Sequence, residues 1–173
     1  MASRAGPMTT STSRPMHTAA ARLVARLRAA GLTIGLAESL TGGALTSALV
    51  EVPGASAVVR GGVVAYATDV KHGVLGVPAG LLDEHGPVHP DVALAMARGI
   101  CFVLASDVGV ATTGVAGPGP ADGRPAGVVY VAAYAAGRGV VRELRLAGTR
   151  PLVRSATTAA ALALALATVD DVA

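Results

Sequence analysis

Three short, nearly all-apolar runs punctuate this chain, at residues 32–37, 58–67 and 107–113, and they end in small or hydroxyl residues. A strand with one wet face alternates apolar and polar side chains. A near-continuous apolar run is what a strand covered on both faces needs. Helical patterns lie between the runs, at 19–30, 42–50, a short stretch from Thr68, 79–84 and 90–105. Residues 127–135 and 140–146 flank Ala136-Gly137-Arg138-Gly139 and read as a hairpin. In the last segment, from Arg150 or Pro151 to Thr168, Leu162, Leu164 and Leu166 alternate like a strand, yet the dense alanine favours a helix. The order α-β-α-β-α-α-β-β-β-α predicts an α/β fold with a mixed, mostly parallel sheet between helix layers. In such sheets ligands sit at the carboxyl ends of parallel strands.

With 173 residues the chain suits one domain, and one Phe, three Tyr and no Trp leave the core to aliphatic side chains. The longest uncharged stretch, 155–169, is shorter than the roughly 20 residues of a spanning helix, so no membrane partner is expected. A net charge of +3 fits a small anionic substrate such as a nucleotide. Nucleic-acid binding would want a denser basic stripe and stacking aromatics. Cys101 stands alone in an apolar helical run, which suits a buried thiol in a reducing cytoplasm. Residues 1–18 contain no acid, are rich in Ser, Thr, Arg and Pro, and read as a disordered tail before a single domain at 19–173. The apolar excess leaves room for a homo-oligomer interface.

The most informative turn is 37–43, Ala-Glu-Ser-Leu-Thr-Gly-Gly, between the first strand and a helix. It places Ser39 and Thr41 at a strand's carboxyl end and aims free helix N–H groups at the same spot, which favours an anion. A nucleophilic hydroxyl beside an anion-stabilising helix start makes two parts of an acyl-transfer site. The alternative is that Ser39 or Thr41 merely caps the helix. Lys71 falls in the first turn of a short helix capped by Thr68, where a cation opposes the dipole, unless it is simply a solvated surface lysine. A second glycine-rich stretch, Thr113 to Pro120 with Gly114 and Gly117, has the spacing of neither a P-loop nor a dinucleotide fingerprint, but lets backbone approach a ligand. His85 and His89 lack a further His or Cys nearby, and Asp91 has a capping role, so no metal is expected.

Taken in order, these stretches resemble the CinA-like C-terminal domain family, whose stand-alone members include nicotinamide-mononucleotide amidohydrolases. The resemblance runs through 37–43, Val52-Pro53-Gly54-Ala55-Ser56, Gly61-Gly62-Val63-Val64-Ala65-Tyr66, Lys71 with Leu75-Gly76-Val77, His85-Gly86-Pro87-Val88, Thr113 to Pro118, 125–130, and Gly148-Thr149-Arg150 with Val153-Arg154. It implies a three-layer α/β/α fold and hydrolysis of the substrate carboxamide to acid and ammonia, without metal or organic cofactor. Three departures stand out: Leu40 where the family often has Cys, Ala67-Thr68-Asp69-Val70-Lys71 for Ser-Asn-Glu-Ala-Lys, and Thr149 where a carboxylate is usual.

Beside the resemblance, the residue types themselves suggest roles. Ser39 would be the nucleophile, with Thr41 the competing hydroxyl, and a desolvated Lys71 the base. Tyr66 and Thr41 would relay protons or hold the lysine. N–H groups of Gly42 and Gly43 would stabilise the oxyanion. Thr113, Gly114 and Gly117 would line the nucleotide side, and Arg150 or Arg154 would meet its phosphate. Glu38 would border the substrate or brace the turn. Two other classes remain open from sequence: a nucleotide-binding module without hydrolysis, and an amidase for a different small amide.

Overall fold

The structure, a computed structural model, describes residues 13–173. The elements run α1 (Ser13–Ala30), β1 (Ile34–Glu38), α2 (Ala44–Val50), β2 (Val59–Val64), α3 (Thr68–Gly73), α4 (Ala79–His85), α5 (Pro90–Leu104), β3 (Val108–Gly114), β4 (Val128–Ala135), β5 (Arg138–Arg145) and α6 (Arg150–Val172), with a 3-10 turn at Ala55–Ala57. Of the stretch expected to be disordered, residues 1–12 lie outside the described residues. Residues 13–18 open α1 instead, because Met16 finds an apolar seat against the core.

One five-stranded sheet has the order β2-β1-β3-β4-β5. β1 pairs in parallel with β2 and β3, while β3–β4 and β4–β5 are antiparallel, so four of the five strands share a direction. Ala136 and Gly137, at φ 48° and 77°, close the β4–β5 hairpin as a two-residue turn. β2 corrects the expectation of a doubly covered strand. It is an edge strand, and its residues alternate between half-buried and exposed.

Helices cover both faces and make three layers. On one face α1, α2 and α6 bury Leu23, Leu27, Leu45, Leu49, Leu162 and Leu164 against Ile34, Leu36, Val108, Val110, Val129 and Val131. On the other, α5 and the segments around α3 and α4 bury Met96, Ile100, Leu75 and Val77 against Ala37, Ala111, Ala132 and Tyr130. The central strands alternate large and small residues, Ile34-Gly35-Leu36-Ala37 and Val108-Gly109-Val110-Ala111. Their small residues face α5, which therefore lies close: a Cβ on Gly109 would strike the carbonyl of Ala97. α6 is long and apolar enough to cross a membrane, and half of that stretch is buried here, packed against α1, β3 and β4 as a core helix is. Leu162 and Leu164 both lie inside because α6 is covered by α1 on one side and the sheet on the other.

Candidate active site

The parallel strands β2, β1 and β3 end side by side, with Glu38 level with Val64 and Thr112. The turn after β1 is pinned to β3 by the Ser39 N–H donating to the Thr112 carbonyl at 3.0 Å. Fully buried Glu38 then turns its carboxylate onto the start of α2. It accepts from the N–H groups of Gly43 (2.9 Å), Leu45 (3.0 Å) and Thr46 (2.8 Å) and from the Thr46 hydroxyl (2.6 Å). The helix start does attract an anion, and the protein's own side chain is that anion.

This chooses between the two roles open to Glu38 and corrects the expectations for the two glycines and for Thr41. Glu38 braces the turn and does not line the cleft. The Gly43 N–H is taken by Glu38, and the Gly42 N–H donates to the Ser39 carbonyl at 3.1 Å, so neither glycine offers an oxyanion donor. Their contribution is positive φ, 60° and 94°, which lets the chain double back over the carboxylate. Thr41 is fully buried and shares a 2.8 Å hydrogen bond with the Thr112 hydroxyl, which removes it from the lysine and from the cleft. Among the described residues the N–H groups of Leu40 and Thr41 have no hydrogen-bond partner, and Leu40 borders the cleft.

Ser39 does meet Lys71. The Lys71 Nζ lies 3.2 Å from Ser39 Oγ and donates to the carbonyls of Ala65 (2.8 Å) and Tyr66 (3.1 Å), just beyond β2. The lysine is 1% exposed. It sits in the last turn of six-residue α3, not against its N-terminus, and Ala67 rather than Thr68 occupies the cap position. Burial pulls its pKa from 10.5 down to about 8, while the negative charge of Asp122 pulls the other way. Tyr66 holds the lysine through its main-chain oxygen. Its hydroxyl points elsewhere and accepts from Arg150 at 2.9 Å.

Across the dyad the end of β3 and the following loop complete an open cleft of about 240 Å³, lined by Ser39, Tyr66, Lys71, Thr113, Gly114, Gly117, Asp122 and Arg150 among others. Thr113 donates its hydroxyl to the Pro87 carbonyl (2.7 Å) and ties the 86–89 loop to the cleft wall. Arg150, at the start of α6, donates to the Gly117 carbonyl at 3.0 Å as well as to Tyr66. Arg154, offered above as a second phosphate ligand, instead holds the carbonyls of Leu40 (2.9 Å) and Thr41 (2.7 Å) and stands outside the cleft lining. His85, His89 and Asp91 cluster nearby, but the two rings stack 4.1 Å apart at 9° and His89 Nδ1 accepts from the Asp91 N–H at the start of α5. One donor atom from each group lies within 4.8 Å of the others, but stacked rings keep their in-plane lone pairs in parallel planes, a poor arrangement for two ligands of one ion. A wider groove of about 720 Å³, lined by the segment between α3 and α4, by α5 and by the β4–β5 hairpin, holds no nucleophile beside a base.

Residues 16–169 match the family described as the CinA C-terminal domain. The chain belongs to that family. A CinA-like protein of Frankia casuarinae is 46% identical over 130 residues, 75% of this chain and 30% of that protein. The chain spans about a third of the length of the curated relatives it matches. The crystal structure of the competence/damage inducible protein CihA from Agrobacterium tumefaciens superposes with a TM-score of 0.85 at 34% identity, over 98% of this chain and 99% of that one. A CinA superfamily protein from Klebsiella pneumoniae gives 0.86 at 31%, over 90% and 98%.

Two of the three departures from the CinA pattern can be placed in the fold. Leu40 both borders the cleft and packs into the core beside α1, α2 and α6, and Thr149 is the N-cap position of α6, where its side chain makes no capping bond. Sequence reasoning missed Arg154 as the brace of the Ser39 turn, the Thr112 partner of Thr41, and Asp122. The Asp122-Gly123 pair is a two-residue turn signal that was legible in the sequence.

Proposed function

We propose that this chain is an amidohydrolase that deamidates nicotinamide mononucleotide to nicotinate mononucleotide and ammonia, a cytoplasmic step of pyridine-nucleotide salvage. The observation that carries the reading is how Lys71 is held. A neutral amine has two N–H bonds and one lone pair. The Ala65 and Tyr66 carbonyls accept two N–H bonds, and this leaves the lone pair for the hydroxyl proton of Ser39, 3.2 Å away. With a pKa of about 8, roughly a tenth of the lysines are neutral at pH 7.

In the reaction, Ser39 Oγ adds to the carboxamide carbon as its proton passes to Lys71 Nζ. The Leu40 N–H, which follows the nucleophile and has no partner among the described residues, would be the donor for the developing oxyanion. The C–N bond then breaks, and the leaving nitrogen takes the proton back from Lys71 and departs as ammonia. Water, deprotonated by the same amine, attacks the resulting ester, releases the acid and restores Ser39. Arg150, fixed by Gly117 and Tyr66 on the cleft wall, supplies the cation for the phosphate.

The test is incubation of purified protein with nicotinamide mononucleotide, following ammonia and acid together. Ser39→Ala should lower turnover by about 10³-fold or more, and Lys71→Arg should be equally inactive because a guanidinium does not deprotonate. Full activity in Ser39→Ala would sink the reading, and saturable binding with no ammonia would favour a nucleotide-binding module.

A further inference from the structure

Asp122 stands at the tip of a miniature hairpin in the loop after β3. The Ala121 N–H donates to the Arg124 carbonyl at 3.0 Å and the Arg124 N–H returns a bond of 2.9 Å. The two residues between, Asp122 and Gly123, both have positive φ, 51° and 68°. Such a turn favours Asn-Gly as much as Asp-Gly. The turn therefore accounts for a small polar residue at 122, but not for its charge.

The charge is also unused by the fold. The Asp122 carboxylate makes no hydrogen bond or ion pair with any described residue, yet it borders the cleft and is the one acid among the described residues that line it. Two cations share that lining, Lys71 and Arg150. When Lys71 is neutral, as a base must be, the cleft keeps one positive and one negative group. That pair complements a substrate with a cationic group at one end and an anionic group at the other.

We propose that Asp122 is a specificity-determining residue, which reads the positive charge of a quaternised ring in the substrate. The inference rests on the amidohydrolase reading above. A ring whose carboxamide reaches Ser39 carries its quaternary nitrogen a few atoms away, inside the cleft that Asp122 also lines. Arg150 takes the anionic end of the same molecule. A neutral amide of the same shape gains nothing from Asp122, so the acid sorts charged rings from neutral ones without touching the scissile bond.

Asp122→Asn removes the charge and keeps the turn, since asparagine suits positive φ. Dissociation constants of the wild type and this variant are measured for nicotinamide mononucleotide and for its dihydro form, whose ring is neutral. The variant should weaken the cationic ligand about three- to fivefold, leave the neutral one unchanged, and lose the difference in high salt. A second readout is the acid limb of kcat/KM against pH. The ionisable groups around Lys71 are Asp122 on the loop, Tyr66 after β2, Arg150 at the start of α6, and Asp69 and His72 on α3. Removing the carboxylate releases the lysine proton more readily, so the limb moves to lower pH. Equal weakening of both ligands means a contact with ribose and overturns the proposal, as does an unchanged preference. Preserved discrimination in a wild type that releases no ammonia sinks hydrolysis and leaves Asp122's role standing. Hydrolysis without a change of preference in the variant overturns Asp122 alone, and a wild type that binds neither ligand overturns both.

Discussion

Two buried charged residues on either side of one turn do opposite work. Glu38 is fully satisfied by the start of α2, and its removal should act on stability. Glu38→Gln places an amide NH₂ against N–H donors that need an acceptor. It should lose about 2–3 kcal/mol of unfolding free energy in urea titration. A change below about 0.5 kcal/mol would mean that the brace is dispensable. Lys71 is held for reaction. Because it must be neutral to accept the Ser39 proton and burial places its pKa at about 8, kcat/KM should rise about tenfold from pH 6 to pH 7 and level off above pH 8. A flat profile across that range would remove the lysine as base.

The elements meet closely because the strands alternate in size. Gly35, Ala37, Gly109 and Ala111 present a thin face to α5, whereas Ile34, Leu36, Val108 and Val110 fill the wider space beneath α1, α2 and α6. Gly109→Ala pushes a methyl into the Ala97 carbonyl, backbone against backbone with no side chain to yield. It should destabilise by about 1–3 kcal/mol, read as a lowered Tm. Parallel pairing of β1 with both β2 and β3 brings three strand ends to one line, and that line is the floor of the cleft. Ser39 follows the end of β1, the Ala65 and Tyr66 carbonyls follow β2, and Thr113 lies in the last two residues of β3.

At the scale of the whole molecule, Lys71 couples folding to pH. Its folded pKa is lowered, so between about 8 and 10.5 the unfolded chain holds a proton there that the folded chain has lost. Stability from this site is therefore gained as pH rises through that window and absent below it. The Tm of wild type minus that of Lys71→Met should increase from pH 8 to pH 10; a constant difference would mean that the amine keeps its proton when folded.

The alternation of helices and strands, short of one of the three helices between β2 and β3, the glycine-marked turns and the pairing of Ser39 with Lys71 were legible in the chain, the last through a resemblance. Local periodicity and turn chemistry decide the first two within a few neighbouring residues. Tertiary structure alone decided who occupies the donors. The stretch 37–43 leaves Glu38 two roles without choosing between them, and nothing in it says that Gly42 and Gly43 spend their N–H groups inside the turn or that Thr41 bonds to Thr112. Arg154, 114 residues from Leu40 in the chain, reaches that turn only because α6 packs back across the sheet. Buried donors and acceptors must be paired, and the partner is set by which strands lie side by side. A short motif therefore names the candidate nucleophile, while the assembled sheet decides which of its hydroxyls and N–H groups remain free to react.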